Sequence, residues 1–419
     1  MFKFLHAADL HLDSPLRGLE RYVGCPADEV RTSSRRALVN LVEMAIVEQV
    51  AFVVIAGDIY DGDLPDYGAC LFLNDQMLRL KEAKIPVYLI QGNHDAESHM
   101  TRHLKLPENV HRFPTDRPGS EVVAGCDAVI HGQGFASRAV TENLAGAYPA
   151  ARPGLFNVGL LHTCVEGREG HDRYAPCSLD DLRSKTYDYW ALGHIHTFEI
   201  LATDPHIVFA GNLQGRHARE TGAKGAVLVT VDGGRVKTLD HRPLDVMRWA
   251  VRRVDATGAK TEDDLLERAG ERLLALAGED GRLPTAVRLE IHGPCAAHDR
   301  LAGRYESLVA GIRALAQDVG GGRLWIEKVA VRTSPERARD EPDGSIRVLL
   351  DYLDAIRADE TKLAALGGEL ADLKKKLPAG WADGGDRLDL DDPVRILATL
   401  EQIGSDLVNA LTTDGGVAS

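Results

Sequence analysis

Short apolar runs and longer amphipathic segments alternate along the first 240 residues of the chain. The short runs are typical of buried β-strands, and the amphipathic segments have the spacing of helices with one apolar face. Strands are predicted over residues 2–8, 51–56, 87–90, 156–161, 189–192, 207–210 and 226–231, and helices over 33–49 and 69–83. Because strands and helices alternate, the pattern predicts a layered α/β architecture with a mostly parallel or mixed sheet between helices.

The pattern changes after Arg242-Pro243-Leu244, which we interpret as the exit from the first domain. The segment that follows predicts a small α/β cap, with helices over 262–277 and 299–317 and strands over 286–291 and 324–331. Residues 334–345 are charged and contain two prolines, which is typical of a linker.

Two segments beyond this linker, 346–356 and 394–411, place apolar residues on one helix face. Such faces either pack against the rest of the chain or dock a partner, and the pattern leaves both open. The chain is therefore predicted to have a core over 1–241, an α/β cap over 242–333, and a linker with C-terminal helices over 334–419 as a candidate docking segment.

The charge balance limits how this chain can contact nucleic acid. The 419 residues suit two or three domains, and 63 acidic against 49 basic residues give a net charge of −14. A protein that grips nucleic acid by itself usually has a basic surface. Any nucleic-acid contact here must therefore use a local basic groove, the charge of bound metal, or a partner.

Cysteine usage and hydropathy indicate the compartment. The six cysteines are scattered and form no C-x-x-C pair, which favours a reducing compartment over a disulfide framework. The first residues lack the pattern of a signal peptide, and no apolar stretch is long enough to span a bilayer. The sequence therefore predicts a cytoplasmic protein.

Metal-ligating side chains directly follow several of the predicted strands. They form five motifs in order: Asp9-Leu10-His11, Gly57-Asp58-Ile59-Tyr60-Asp61, Gly92-Asn93-His94-Asp95, the lone His162, and Gly193-His194-Ile195-His196. Two ligands at i and i+2 after a strand can point the same way. We therefore expect the motifs to assemble one metal centre at one edge of a sheet.

The ligand types suit a pair of divalent cations. If the Asp58 carboxylate bridges, Asp9, His11, Asp58 and His196 hold one ion, and Asp58, Asn93, His162 and His194 hold the other. Paired cations about 3.5–4 Å apart can activate a shared water and stabilise both oxygens of a phosphoryl displacement. Nitrogen and oxygen ligands without thiolate favour manganese, with iron, zinc or magnesium as alternatives, over calcium.

Other residues near these motifs are candidates for proton transfer and substrate binding. His94 is not needed as a ligand, so it is a candidate catalytic proton donor to the leaving oxygen, with Asp95 placed to orient it. Arg216 and His217 follow a predicted strand and either face the substrate or form a plain turn. The chain has no G-x-x-x-x-G-K-[ST] motif, so it is not expected to hydrolyse ATP at a Walker-type site.

The five motifs resemble the calcineurin-like metallophosphoesterase superfamily, whose pattern is D-x-H, G-D-x-x-D, G-N-H-[DE], H and G-H-x-H. The resemblance covers residues 9–196. It implies a four-layer α/β/β/α sandwich, a dinuclear site with the ligand division given above, and His94 in the catalytic role. In this chain, a small α/β cap domain and C-terminal helices are expected in addition to the sandwich.

Within that superfamily the chain is similar to the bacterial DNA-repair exonucleases of the SbcD and YhaO type. The similarity lies in the start of the chain, the Asp95 ending of the third motif, the cap, and the segments 211–217 and 220–225. Members of this branch pair with an SbcC-type coiled-coil ATPase, and a homodimer is expected. Asp61 is the usual bacterial residue where the archaeal and eukaryotic branch has histidine, and it joins Arg216 and His217 as a candidate substrate contact.

The sequence therefore predicts a manganese-dependent DNA phosphodiesterase, an exonuclease or endonuclease of DNA repair. Two alternatives stay open. The first is a metallophosphoesterase that acts on cyclic nucleotides or small phosphoesters, which the acidic composition permits. The second is a regulatory subunit that binds a coiled-coil ATPase through the cap and the C-terminal helices.

Overall fold

A computed structural model describes residues 1–14, 27–61, 67–97, 105–165, 174–279, 283–336, and six residues between 348 and 356. The chain divides into two compact units, one of Met1–Ala250 with Arg282–Val287 and one of Val251–Gly281 with Arg288–Ser419. Most of the predicted linker and the predicted helix over 394–411 lie outside the described residues, whereas the six residues described between 348 and 356 are helical, as predicted for 346–356. The predicted boundaries at 241/242 and 333/334 stay predictions.

Within its described residues, the first unit contains twelve complete strands and three α-helices. The strands are β1 (Phe2–Ala7), β2 (Phe52–Ala56), β3 (Val87–Ile90), β4 (Val110–Arg112), β5 (Gly119–Val122), β6 (Ala128–Gly132), β7 (Phe156–His162), β8 (Tyr189–Gly193), β9 (Glu199–Thr203), β10 (His206–Phe209), β11 (Gly225–Asp232) and β12 (Arg235–Pro243). The helices are α1 (Ala27–Val47), α2 (Gly68–Glu82) and α3 (Leu179–Arg183).

These strands form two six-stranded sheets. One has the order β12-β11-β1-β2-β3-β4 and the other β5-β6-β7-β8-β10-β9. The neighbours from β1 to β4 are parallel, as are those from β6 through β7 and β8 to β10. The remaining strands of both sheets pair antiparallel. Both sheets are therefore mixed, with parallel strands at their centres.

The apolar faces of the two sheets pack against each other and against helices. Between the sheets, Phe4 stacks on Phe52 with ring centroids 4.9 Å apart, and Tyr189 meets Phe4 edge-on. On the other side of the first sheet, α1 and α2 pack on β1 and β2 through buried leucines. Beyond the second sheet, Trp190 packs against α3 and a short 3₁₀ helix over Leu144–Ala147. The predicted four-layer α/β/β/α sandwich is confirmed, with a thin outer helical layer.

The part of the second unit that the structure describes holds most of a three-stranded sheet and two complete helices. The sheet has the order β13-β14-β15, formed by β13 (Arg248–Asp255), β14 (Thr285–Cys295) and β15 (Leu324–Pro335). Its helices are α4 (Glu262–Glu279) and α5 (His298–Gly320). No helix among the described residues combines the length and the hydropathy needed to cross a bilayer.

Candidate metal centre

The five polar motifs lie at the same end of the parallel strands. Asp9 and His11 follow β1, Asp58 follows β2, and Asn93 follows β3 in the first sheet. In the second sheet, His162 ends β7, and His194 and His196 follow β8, which is parallel to β7. The carboxyl ends of parallel strands meet at one edge, and the two sheets face each other here. The fold therefore brings all five motifs to one edge of the sandwich.

The backbone of these loops is strained at the predicted ligands. Asp9, His11, Asp58 and His194 have φ values of 50°, 43°, 50° and 101°, in the left-handed region that residues with a Cβ rarely adopt. Residues held in this region cost about 1–3 kcal/mol each and cluster at functional sites. The surrounding structure must therefore hold these four residues in place.

Asp58 lies between imidazoles that come from different motifs. Its carboxylate Oδ2 is 3.8 Å from His11 Nε2 and 3.6 Å from His162 Nε2. Asp58, His11 and His162 are all buried. One carboxylate oxygen thus faces the ring nitrogens of two histidines, as a bridging ligand of two cations would.

One group of ligand atoms converges around His11. His11 Nε2 and His196 Nε2 are 3.2 Å apart, and with an Asp9 oxygen these atoms lie within 4.8 Å of one another. Nitrogens bonded to one cation at about 2.0–2.1 Å stand about 3 Å apart. The spacing of these two imidazoles therefore fits a shared cation.

A second group of ligand atoms converges around His162. Its Nε2 lies 2.9 Å from the Asn93 side-chain oxygen, and its Nδ1 lies 2.9 Å from the backbone carbonyl of Ala56, which fixes the ring. Oxygens of Asp9 and Asp58 and a nitrogen of His162 also lie within 4.8 Å of one another. The ring centroids of His194 and His162 are 5.3 Å apart. The backbone N–H of His194 donates to the Asp9 carboxylate. These donors, four imidazoles, two carboxylates and an amide oxygen, fit a pair of divalent cations.

The electrostatics of the site also suit bound cations. Burial raises the pKa of Asp9 well above its usual value, and the neighbouring Asp58 carboxylate raises it further. Two carboxylates without water around them repel each other, and a cation between them removes that cost. The donor set and the burial therefore both fit metal binding.

Gly92 is required by the close approach of its loop to Asp58. A Cβ at this position would lie 2.2 Å from Asp58 Oδ1 and 2.6 Å from the Asp58 backbone nitrogen. Gly92→Ala should therefore displace the Asp58 carboxylate and lower phosphoesterase activity by at least about 100-fold, about 3 kcal/mol in activation free energy. Activity assays and thermal unfolding in EDTA measure the effect.

Gly146→Ala is the matched control for this substitution, because no atom lies within 4 Å of the Cβ it would add. It should keep full activity. Wild-type activity in Gly92→Ala would show that the position of Asp58 does not matter.

His94 is paired with Asp61. His94 Nδ1 lies 3.0 Å from Asp61 Oδ1, and the His94 backbone N–H donates to Asp58. The His94 side chain is 30% exposed, whereas the predicted ligand His162 is fully buried. Asp61 also accepts a hydrogen bond from the Ser14 hydroxyl at 2.6 Å. Asp61 therefore orients the imidazole at the open side of the centre.

Asp95, which was predicted to orient His94, contacts the backbone of the neighbouring loops. Its buried carboxylate accepts hydrogen bonds from the backbone N–H groups of Ile59, Tyr60 and Gly92. Both oxygens are turned into the protein because Asp95 begins a 3₁₀ turn over Asp95–Glu97. Asp95 therefore ties the loops after β2 and β3 together, and the orienting carboxylate is Asp61.

Three further residues stand beside His196. Arg216 lies 3.4 Å from Asp61 and 3.3 Å from His196 Nδ1, and His217 is half-exposed. Glu220, which the sequence motifs did not single out as a site residue, accepts from His196 Nδ1 at 2.6 Å. In the sequence, Glu220 was indicated only by its position in the segment 220–225, one of the segments on which the family resemblance depends.

Comparison with known proteins decides the family. The sequence profile of the calcineurin-like phosphoesterases matches residues 2–198, and the profile of the middle domain of the metallophosphoesterase YhaO matches residues 249–334. An uncharacterised metallophosphoesterase, YhaO of Bacillus subtilis, is 37% identical over 294 residues, which are 69% of this chain and 71% of that protein. The chain belongs to the calcineurin-like phosphoesterase family.

A more distant relative of this metallophosphoesterase is the DNA double-strand break repair protein Mre11 of Sulfurisphaera tokodaii. It is 24% identical over 284 residues, which are 62% of this chain and 67% of that protein. Membership of the family makes the chain a metal-dependent hydrolase of phosphate esters, and the candidate ligand groups agree with that chemistry.

Removal of divalent metal should abolish the activity of this metallophosphoesterase and destabilise it. A ligand present at about 100 times its dissociation constant stabilises the native state by about 2.7 kcal/mol. We therefore expect EDTA to lower the unfolding temperature and excess divalent cation to restore it. Asp58→Asn, which removes the shared carboxylate, should show little response to EDTA, and an equal response would place the stabilising metal elsewhere.

Proposed function

We propose that this metallophosphoesterase is a manganese-dependent DNA phosphodiesterase that acts in DNA repair, as an exonuclease or endonuclease. The observation that carries the hydrolytic part is the convergence of Asp9, His11, His162 and His196 around the Asp58 carboxylate. DNA as the substrate is supported by the similarity to Mre11, whose name describes a DNA double-strand break repair protein.

The predicted ligands would hold two divalent cations in the division given by the sequence. Cations held there would supply an activated water and neutralise charge on the phosphate. Manganese suits the mixed nitrogen and oxygen ligands, and iron, zinc and magnesium are the alternatives.

The protein's own residues supply proton transfer at the leaving oxygen. Asp61 holds His94 Nδ1, which leaves the other ring nitrogen, Nε2, for the substrate. When the ring is the imidazolium, its Nδ1–H donates to Asp61 and its Nε2 proton can pass to the departing 3′-oxygen, which leaves a neutral imidazole with its proton on Nδ1. The Asp61 carboxylate fixes the ring and its tautomer during that step.

DNA and small phosphoesters can be distinguished by direct assay. Linear duplex DNA labelled at either end, a cyclic nucleotide and bis-p-nitrophenyl phosphate are each incubated with the protein and Mn²⁺. The proposal predicts Mn²⁺-dependent cleavage of DNA that Asp58→Asn lacks. Hydrolysis of the small esters without any cleavage of DNA, with or without a partner ATPase, would contradict it.

We also propose a partner, an SbcC-type coiled-coil ATPase, and a homodimeric cytoplasmic enzyme. The missing Walker motif and the amphipathic pattern of 346–356 and 394–411 support a docked ATPase. Deletion of residues 334–419 should abolish binding of that ATPase and preserve hydrolysis by the core. If Asp58→Ala is without effect in cells while the deletion is not, the chain is a regulatory subunit instead.

A further inference from the structure

The carboxylate of Glu220 is held by hydrogen bonds on both of its oxygens. Oε2 accepts from the Asn212 amide at 2.8 Å and from the Arg216 backbone N–H at 2.7 Å, and Oε1 lies 2.6 Å from His196 Nδ1. The Glu220 side chain is only 6% exposed. A buried carboxylate fixed in this way cannot move to another partner without leaving several donors unpaired.

Arg216 joins this carboxylate to Asp61. Its NH2 nitrogen lies 3.4 Å from Glu220 Oε1, and its NH1 nitrogen lies 3.4 Å from Asp61 Oδ2. The Arg216 side chain is mostly buried, at 17% exposure. One guanidinium thus stands between two carboxylates that come from different loops, Asp61 after β2 and Glu220 before β11.

The Asp61 and Glu220 carboxylates lie beside the Nδ1 atoms of three histidines. His94 Nδ1 is 3.0 Å and His11 Nδ1 is 3.5 Å from Asp61 Oδ1, and His196 Nδ1 is 2.6 Å from Glu220 Oε1. For His11 and His196 the opposite nitrogens, Nε2, face each other at 3.2 Å. The carboxylates therefore lie behind the rings, and the metal-binding nitrogens lie in front.

A carboxylate behind a histidine fixes which ring nitrogen carries the proton. The Glu220 carboxylate is paired with the Arg216 guanidinium, and an ionised carboxylate can only accept hydrogen bonds, so the proton between it and His196 belongs to Nδ1. His196 Nε2 is then unprotonated and has its lone pair toward the centre. Loss of such an outer partner typically lowers metal affinity or activity 10–100-fold.

We propose that Asp61, Arg216 and Glu220 form one brace, the carboxylate–guanidinium brace, in which Glu220 is the positioning residue for His196 and Arg216 holds both carboxylates in place. The inference rests on the proposed two-cation centre but not on DNA as the substrate. It also gives Arg216 a role other than the phosphate contact expected from the sequence, because the guanidinium is occupied by two carboxylates of its own chain.

If the brace positions His196, Glu220→Gln should weaken the binding of one metal ion and leave the binding of the other unchanged. His196 belongs to the ion held with Asp9, His11 and Asp58, whereas the other ion uses Asn93, His162 and His194. A calorimetric titration of the metal-free full chain with MnCl₂ should give two binding events in the wild type. In Glu220→Gln one event should weaken by about 10–100-fold and the other should keep its affinity. Glu220→Asp, which keeps the charge, should recover part of the loss.

Glu327→Gln is the matched control. Glu327 forms a buried pair with Arg288, with two N–O distances of 2.8 Å, so its loss removes a carboxylate of the same chemistry from the other unit. This variant should unfold at a lower temperature in EDTA and bind both ions as the wild type does.

Arg216→Ala separates the brace from a phosphate contact. If Arg216 belongs to the brace, Arg216→Ala should bind Mn²⁺ more weakly. If Arg216 contacts phosphate instead, the variant should bind Mn²⁺ as the wild type does and have a higher KM for bis-p-nitrophenyl phosphate. That second result would overturn the inference. Unchanged Mn²⁺ affinities in Glu220→Gln, or an equal weakening of both events, would also overturn it. A wild-type chain that binds no Mn²⁺ would instead refute the proposed metal centre, and the brace with it.

Discussion

Replacement of Asp58 by asparagine should lower phosphoesterase activity by at least about 10³-fold, about 4 kcal/mol of transition-state stabilisation. Asp58 Oδ2 is the atom that faces both His11 and His162, so its charge serves both predicted cations. In the wild type the His94 backbone N–H donates to Asp58 Oδ1. Asparagine keeps the shape of the side chain and an oxygen that can accept this hydrogen bond. Steady-state hydrolysis of bis-p-nitrophenyl phosphate with saturating Mn²⁺ measures the loss.

The same substitution should leave the metal-free fold intact or stabilise it. Asp9 and Asp58 are both buried, and their like charges oppose folding when no cation lies between them. Thermal unfolding in EDTA should therefore give a midpoint at or above that of the wild type. A carboxylate at the other end of β8, Asp188, accepts from the Asn157 backbone N–H and supplies the matched control. Asp188→Asn should retain activity, and a fully active Asp58→Asn would contradict the role of Asp58.

Replacement of His94 by glutamine should lower turnover of DNA or an alkyl phosphodiester by about 10²–10⁴-fold without loss of metal. His94 is paired with Asp61, and the ligand division predicted from the motifs does not use it. Its ring nitrogen also forms a further group of candidate ligand atoms with His11 and Asp61, so Mn²⁺ binding must be measured alongside turnover. The loss should be much smaller for a p-nitrophenyl ester, because p-nitrophenolate leaves without a proton. Comparison of kcat for the two kinds of ester, with Mn²⁺ binding measured in parallel, tests the assignment.

His11→Gln is the counterpart of this variant. It removes a predicted ligand, so both activity and Mn²⁺ affinity should fall. If His94→Gln also loses Mn²⁺, or if its loss is equal for both leaving groups, His94 acts as a ligand or a structural residue and does not transfer a proton.

Most of the buried strands could be predicted from the sequence because burial makes them mainly apolar, although β6, whose five residues are all buried, was missed. The run over 51–56 is β2, and the run over 156–161 is β7, with ends that differ by one residue. By contrast, β12 was missed, since Val236 and Leu239, the residues of this edge strand that pack on the core, are three apart and a register shift breaks the two-residue alternation. The three residues of β4 and the four of β5 are too short and too exposed to give a pattern. Hydrophobic periodicity records burial, so it does not report strands at the edge of a sheet.

The motifs identified the side chains of the centre, but not their partners. Asp95 is next to His94 in sequence, yet the 3₁₀ turn directs its carboxylate to three backbone N–H groups. Asp61 reaches His94 from the neighbouring strand, and Glu220 reaches His196 across 24 residues of sequence. Which carboxylate lies behind which imidazole depends on loop backbone conformation, which residue spacing does not encode.

The most direct test of the central claim is anomalous diffraction at the manganese edge from crystals of the full chain grown with MnCl₂. We expect two peaks, one beside Asp9, His11 and His196 and the other beside Asn93, His162 and His194, with the Asp58 carboxylate contacting both. A single peak, or peaks that Asp58 does not contact, would contradict it.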